Sequence, residues 1–328
     1  MLLIFSEKIT PRLKYVTRYI FEDCIKILYN LTSDMIELQS FTGPVISYTK
    51  QRIAQEFHMH AGDLLLENDI KEQKVEVKDI DGMPVFFPTD RDSDTPFDVF
   101  SAVFFMLSRY EEYLPFTTDK YGRYAAENSI LYKNKLLEKA VVDRWIIFLN
   151  GKLREKYSQF PVINRKYRFI PTVDIDSAYA IRHKGAIRTT GGLIKSLIGV
   201  TEPGFSKRIR VLRGKEKDPF DLYDKIDYIH DGIPKKMISF VLAARLSKND
   251  RGIYPGKLPF KKLIEKLGEF SIIGMHPSWK SHGSSRRFTE EKNRLEDICN
   301  YKIRISRQHF LMIKMPETYL RLEKAGII

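Results

Sequence analysis

Short apolar runs alternate with helix-like runs through the second half of this 328-residue chain, and this alternation restricts the fold more than any other feature. The apolar runs predict four strands, at 168–174, 237–243, 271–276 and 301–306. The periodic runs between and after them predict helices at 219–231, 259–269, 288–299 and 316–325. Elements in this order predict a parallel sheet with right-handed crossovers, whose functional residues lie at the carboxyl ends of the strands.

Two carboxylates stand at the end of the first predicted strand. Residues 168–173 predict a buried strand, which Pro171 confines to a sheet edge or a bulge. Asp174 and Asp176 follow it, and paired acids at such an edge are typical of a metal site or a catalytic base. The alternative is a pair of loop acids that cap the next helix. Because His276 and Arg307 follow later predicted strands, the topology brings them to the same edge as Asp174.

Four motifs, in this order, resemble those of the polysaccharide deacetylases (NodB homology domain, carbohydrate esterase family 4). The run Thr172-Val-Asp-Ile-Asp176 is similar to the first motif of that family, and residues 237–244 are similar to its second core strand. Residues 273–282 resemble its histidine motif, and residues 304–310 resemble its arginine motif. In the first half, residues 97–115 resemble an uncharacterised domain that precedes deacetylase domains in many Bacteroidetes proteins.

The resemblance implies a function and a role for each matched residue. It implies a divalent metal, with zinc as the expected ion, and removal of N-acetyl groups from a surface glycan or its precursor. Asp174 would be the general base, and Arg307 would pair with it and orient it. Asp176 and His276 would be metal ligands.

The histidine motif departs from the family pattern at its second ligand. Lys280 stands four residues after His276, where the family has another histidine, and an ammonium beside a cation would weaken metal binding. His282, six residues after His276, is the candidate replacement if the loop bends. Trp279 and His309 are the candidate substrate contacts, and the alternatives for His309, another imidazole near the site, are a ligand and an ordinary satisfied histidine, of which the sequence favours the second.

The length and the patterning predict two domains. Residues 1–165 predict an α+β domain of unknown function, with helices at 11–30, 97–113 and 136–157 and a hairpin over 73–87. Asp94 or Thr95 is the expected cap of the second of these helices. For residues 166–328 the resemblance implies a partial, distorted (β/α) barrel of the deacetylase type. The later motifs of the family, including its general-acid histidine, have no counterpart, so a fragment or a truncated relative is expected.

Composition and charge bound the class of protein. An apolar content of 43% excludes a disordered chain, and the distant Cys24 and Cys299 predict no disulfide framework. No run approaches the ~18 apolar residues that a membrane span needs, and a cytoplasmic protein is therefore expected. The net charge of +13 is concentrated in residues 182–217, where ten Lys and Arg stand against two acids. This window predicts peripheral contact with an anionic surface, or a solvated insertion; because nucleic-acid motifs are absent, no nucleic-acid partner is expected.

Three interpretations follow. The leading one is a metal-dependent deacetylase that acts on an N-acetylated polysaccharide or its precursor. The alternative is a non-catalytic carbohydrate-binding or scaffold protein on the same fold, which Lys280 and the missing general acid favour. A basic surface-binding protein that uses residues 182–217 is the third. The first requires that Asp174, Asp176, His276 and Arg307 converge around one cation.

Overall fold

The computed structural model, which describes residues 1–233 and 237–328, divides between Lys166 and Tyr167 into two units. Unit 1 comprises Met1–Lys166 and unit 2 comprises Tyr167–Ile328, so the predicted boundary at residue 165 falls beside the observed one. Each unit contains a parallel sheet together with helices, which confirms the mixed α/β class. Within the described ranges, no helix is both long enough and apolar enough to cross a membrane.

A four-stranded parallel sheet lies at the centre of unit 1, where the sequence predicted only a hairpin. Its order is β2-β1-β3-β4, and its strands are β1 (Leu2–Phe5), β2 (Tyr29–Thr32), β3 (Val45–Thr49) and β4 (Phe57–His60). Every residue of β1 and β3 is buried, as expected for central strands of a parallel sheet with both faces covered. The predicted hairpin is confirmed: β5 (Val77–Ile80) pairs with β6 (Met83–Phe86) in antiparallel register around Asp81-Gly82.

The helices of unit 1 are shorter than predicted. They are α1 (Pro11–Thr17), α2 (Met35–Ser40), α3 (Val99–Leu107), α4 (Ile130–Lys133) and α5 (Val141–Lys156). The helix expected over 11–30 changes at Arg18 to a π-helical segment that ends at Ile25. The helix expected over 97–113 ends at Leu107, because Arg109 takes a φ of 54° and the chain continues as a 3₁₀ turn over Tyr110–Tyr113.

The predicted caps of α3 were wrong. Asp98 is the N-cap residue, and its carboxylate accepts a hydrogen bond from the backbone N–H of Ser101 at 2.9 Å. Asp94 instead accepts from the backbone N–H of His58 at 2.7 Å, which ties the loop before α3 to β4. Asp98 therefore caps α3 and is buried as well. The polar residues before the helix did not indicate which of them would be the cap.

Unit 2 contains a three-stranded parallel sheet of order β7-β8-β9. Its strands are β7 (Thr172–Ile175), β8 (Met237–Val241) and β9 (Ser271–Met275). Its helices are α6 (Ala186–Leu197), α7 (Phe205–Leu212), α8 (Tyr223–His230), α9 (Leu258–Phe270), α10 (Ser285–Cys299) and α11 (Glu317–Lys324). The basic window thus contains two helices, α6 and α7. The core lies where α9 and α10 pack near β9, and it includes Phe260, Leu267, Ile273, Phe288 and Leu295.

Two predicted strands of unit 2 are shorter than expected. The prediction of a buried strand from residue 168 was wrong, because Phe169 and Ile170 are 56% and 46% exposed and pairing begins only at the carbonyl of Pro171. Residues 301–306 form a single bridge to β9 rather than a strand. The reason is that side chains bind the backbone groups a ladder would use: Glu296 accepts from the N–H of Ile303, and the Tyr301 hydroxyl accepts from the N–H of Ile273.

Candidate metal centre

Three potential ligands converge beyond the carboxyl ends of the strands in unit 2. One donor atom from each of Asp176, His276 and His309 lies within 4.8 Å of the other two. Both imidazoles are buried, whereas the side chain of Asp176 is 58% exposed. A carboxylate and two imidazoles are a donor set that divalent transition metals take in proteins, and the exposed side leaves access for a ligand.

The parallel sheet positions all three residues. Asp176 is the residue after β7 ends, and His276 is the residue after β9 ends. The backbone N–H of His276 donates to the carbonyl of Val241, which fixes the start of this loop against β8. The segment that leads to His309 is held on β9, since the N–H of Met275 donates to Ile305 and the N–H of Arg307 donates to Met275. Sheet geometry therefore brings residues from distant parts of the chain to one edge.

Each imidazole uses Nδ1 to bind a fixed acceptor. His276 Nδ1 donates to the carbonyl of Arg307 at 2.6 Å, and His309 Nδ1 donates to Asp250 Oδ1 at 3.2 Å. Because these acceptors require the proton on Nδ1, the Nε2 atoms of the neutral rings present lone pairs. They lie 3.1 Å and 3.7 Å from Asp176 Oδ1.

This arrangement fits a bound cation. Two acceptor atoms at 3.1 Å repel one another unless a proton or a cation lies between them. Histidines that bind metals in proteins generally donate their other ring nitrogen to a carboxylate or a backbone carbonyl, and His276 and His309 each do so. Asp176, His276 and His309 thus meet both the donor and the orientation requirements of a metal site.

The acidic groups of the centre are held in their charged forms. Contact with the His276 ring, whose Nε2 lies 3.1 Å from Oδ1, lowers the pKa of Asp176, although partial burial opposes this. Burial alone would raise the pKa of Asp250, but hydrogen bonds from His309, Ser247 and the backbone N–H of Trp279 keep it below its usual value. Two negative charges therefore face the two imidazoles, which favours binding of a cation.

A separate ion pair lies at the end of β7. Arg307 donates to Asp174 Oδ1 at 2.9 Å, and both side chains are 37% exposed. The guanidinium also lies over the ring of Phe240, 4.5 Å from its centroid. The Asp174 carboxylate and the Phe240 ring together fix the position of Arg307. A Cβ on Gly274 would come within 2.6 Å of this ring, so any residue other than glycine at this position would displace the Phe240 ring. The predicted pairing of Asp174 with Arg307 is therefore present.

The second candidate ligand of the histidine motif lies elsewhere. The buried Ser278 donates to Glu291 and caps a short 3₁₀ turn, and the chain then carries His282 toward Arg321. Burial and the positive charge of Arg321 lower the pKa of His282, and it is not part of the ligand cluster. Lys280 is exposed and lines a small cleft with residues of α10, so its ammonium does not occupy the position the sequence suggested.

The two candidate substrate contacts have different surroundings. His309 belongs to the ligand cluster, whereas the sequence made it a candidate substrate contact. The ring of Trp279 is half-buried and meets that of Phe310 edge to face, with centroids 5.2 Å apart. Phe310 and Leu311 take φ values of 57° and 52°, a conformation that costs a non-glycine residue about 1–3 kcal/mol.

Asp250 is the functional residue that the sequence analysis missed. It is buried in the loop after β8 and binds His309, the backbone N–H of Trp279 and the Ser247 hydroxyl. The sequence could have indicated it, because the predicted strand at 237–243 was the one strand without a candidate polar residue in the loop that follows it. An acid in that loop is the expected partner for an imidazole at the same sheet edge.

A comparison with family models matches a part of the chain that lies outside this centre. Residues 2–158 match the model of a family described as a family of unknown function (DUF7033), and all of them belong to unit 1. Searches of curated proteins and of solved structures gave no significant match.

Proposed function

We propose that the protein is a metal-dependent hydrolase of the polysaccharide deacetylase type, which removes N-acetyl groups from a glycan or a glycan precursor. The observation that carries the proposal is the convergence of Asp176, His276 and His309, with the Asp174–Arg307 pair at the same strand edge. The order of the matched motifs along the chain supports the family assignment, and the partial barrel belongs to the same proposal.

A role follows for each side chain. Asp176, His276 and His309 would hold a divalent cation, for which zinc is the leading candidate, and the cation would supply Lewis acidity toward a substrate carbonyl and toward water. Asp174 would accept the proton of the attacking water. The Arg307 guanidinium keeps the Asp174 carboxylate oriented, and the half-buried ring of Trp279 offers a face for a sugar.

Acetate release from N-acetylhexosamine oligomers tests the proposal, with zinc or cobalt added. The wild-type protein should release acetate only with metal. Asp174→Asn should reduce the rate by about 100-fold to 10,000-fold, because a general base contributes that much. His309→Ala should abolish the dependence on metal together with the activity, whereas His282→Ala, outside the cluster, should retain both.

Two outcomes would contradict the assignment. Metal-dependent acetate release that survives Asp174→Asn would exclude Asp174 as the base. Stoichiometric metal binding that His309→Ala removes, with no acetate release from any oligomer, would instead favour a carbohydrate-binding protein on the same fold.

A further inference from the structure

A cationic cleft lies beside the candidate metal centre in unit 2. Its volume is ≈ 550 Å³, and the loop after β7, the helices α6 and α7 and the loop at 251 form its walls. Of the described residues that line it, five are basic and one, Glu202, is acidic. The basic residues are Lys184, Arg188, Lys207, Arg208 and Arg251.

Four of these cations form no ion pair in the described part of the chain. Lys207 lies 3.6 Å from Glu216, but the other four bind only neutral groups. Lys184 donates to the Ser177 hydroxyl, and Arg188 donates to the carbonyls of Arg251 and Gly252. Positive groups gathered without a partner repel one another, and this costs free energy unless an anion binds among them.

The buried carboxylate of Asp218 offsets only part of the charge of the cleft. It accepts hydrogen bonds from the backbone N–H groups of Ala180, Ile181, Arg182 and Phe220, which keep it charged, but it contributes one negative charge near five basic side chains. Burial and the charge of Arg188 lower the pKa of Lys184 to about 8, even though Asp218 acts in the opposite direction. The cleft therefore retains an excess of positive charge.

The cleft adjoins the candidate metal centre. Ser177, which lines the cleft, directly follows Asp176. On the other wall, a Cβ on Gly252 would lie 3.2 Å from the carbonyl oxygen of Asp176, so the backbone at 251–252 passes close to the same residue. If one group of a ligand binds in the cleft, the adjoining part of the same ligand would lie beside Asp176.

We infer that this cleft is a binding site for a phosphate or diphosphate group. Phosphate carries up to two negative charges and several acceptor oxygens, and guanidinium groups bind it with two donors at once. A carboxylate brings a single charge and would leave most of the four cations unpaired. Resting on the proposed function, the inference makes the substrate a glycan linked to phosphate, with the acetylated sugar near Asp176 and the phosphate between α6 and α7.

Titration calorimetry with sodium diphosphate, at low ionic strength and without added metal, tests the site. The double variant Lys184→Gln, Arg208→Gln should weaken binding at least tenfold. The control is Lys195→Gln, Arg213→Gln, which removes the same charge from exposed residues of the same window that do not line the cleft. Its affinity should stay within twofold of the wild-type value.

Two results would overturn the inference: no binding by the wild-type protein, or equal weakening by both double variants, which would mean general charge attraction. A second measurement uses the wild-type protein alone, so its result does not depend on whether a variant folds. Diphosphate should slow acylation of Lys184, followed by mass spectrometry, and should leave Lys195 unaffected. Equal protection of both lysines, or of neither, would also refute the site.

Two further arms separate the sources of the phosphate and the two proposals. The first arm measures binding to phosphatidylcholine vesicles that contain phosphatidic acid. Binding that diphosphate reverses would indicate a lipid headgroup, whereas diphosphate binding without vesicle binding would indicate a soluble phosphate. The exposed apolar residues of α6, Ile187, Ile194 and Leu197, make the lipid arm informative. His309→Ala should lose metal binding and keep diphosphate binding, so either proposal can fail without the other.

Discussion

Asp250 provides the sharpest test of the metal centre, because it acts through His309 and not as a ligand. It accepts from His309 Nδ1 at 3.2 Å and from the backbone N–H of Trp279 at 2.9 Å, and its side chain is 2% exposed. Asp250→Asn keeps the shape and one acceptor oxygen but removes the charge. The wild-type carboxylate fixes the ring of His309 and makes its Nε2 more basic, and the variant loses both effects.

The expected loss can be estimated from similar partners of metal-binding histidines. Their removal weakens metal binding by about 10–100-fold, which corresponds to about 1.4–2.8 kcal/mol. The larger substitution Asp250→Ala is less informative, since it would also remove the acceptor of the Trp279 N–H and of the Ser247 hydroxyl and cost a further ~1–3 kcal/mol of folding stability. Asp250→Asn is therefore the variant of choice.

Cobalt affinity is the readout, measured by competition with a chromophoric chelator. Asp297→Asn, which removes a charge from an exposed position on α10, is the matched control for the long-range effect of charge. Its affinity should equal that of the wild-type protein. If Asp250→Asn also binds cobalt within twofold of the wild type, Asp250 does not support a metal ligand, and the centre as described is refuted.

Three further predictions concern other parts of the molecule. Gly274→Ala should reduce acetate release and leave cobalt affinity unchanged, because a Cβ would meet the Phe240 ring that supports Arg307. Asp98→Ala should lower the free energy of unfolding in urea by about 2–6 kcal/mol, because three buried donors lose their acceptor: the Tyr48 hydroxyl and the N–H and hydroxyl of Ser101. The two hydroxyls lie 3.3 Å apart and can bind each other, which leaves two unpaired donors at about 1–3 kcal/mol each. The advantage of the wild-type protein over Lys184→Gln in diphosphate affinity should fall as the pH rises from 7 to 9, because Lys184, whose pKa is lowered to about 8, loses its charge in that range, whereas the ionisation of diphosphate affects both proteins equally.

Each of these has its own control. Gly268→Ala adds a methyl group to open space on α9 and should leave activity unaltered; an equal loss there would remove the argument from Phe240. Unfolding of the Asp98 variant is followed by Trp145 fluorescence in a Trp279→Phe background, since the chain has two tryptophans. A shift below 1 kcal/mol would contradict the burial argument. A ratio of wild-type to Lys184→Gln affinity that stays constant between pH 7 and 9 would refute the titration of Lys184 as the cause.

The elements that the sequence predicted best are those whose pattern is local. The hairpin around Asp81-Gly82 needs only two alternating runs and a turn, and Gly82 takes the required positive φ of 75°. α9 and α10 show apolar residues at helical spacing over 13 and 15 residues, which is long enough for the periodicity to be distinct. In both cases the information lies within a few turns of chain.

The parallel sheet of unit 1 could not be predicted in the same way. Its strands have four or five residues each, and β1 pairs with β2 and β3 across long separations in sequence. A run as short as Leu2–Phe5 does not distinguish a buried strand from a buried helical turn by periodicity alone. Pairing across the sheet, which the sequence does not display, decides its structure.

The candidate site was predictable to the extent that sheet topology determines it. Asp174 lies near the end of β7, and Asp176, His276 and Arg307 each follow a strand or a bridge, so the parallel order brings all four to one edge. The choice between His282 and His309 depends on loop conformation. The loop after β9 is turned by the bond between Ser278 and Glu291, and no spacing rule in the histidine motif contains that information.

His276 links the two halves of the centre. Its Nε2 faces Asp176, and its Nδ1 holds the carbonyl of Arg307, so the same ring is a candidate ligand and a tether for the segment that carries His309. That segment is also joined to β9 by the backbone around Met275 and Ser306 and by the Tyr301 hydroxyl, and a single bridge gives it little stability of its own. The ring of His276 therefore supports the segment that carries both the third candidate ligand and the partner of Asp174, in addition to its own capacity to bind a metal.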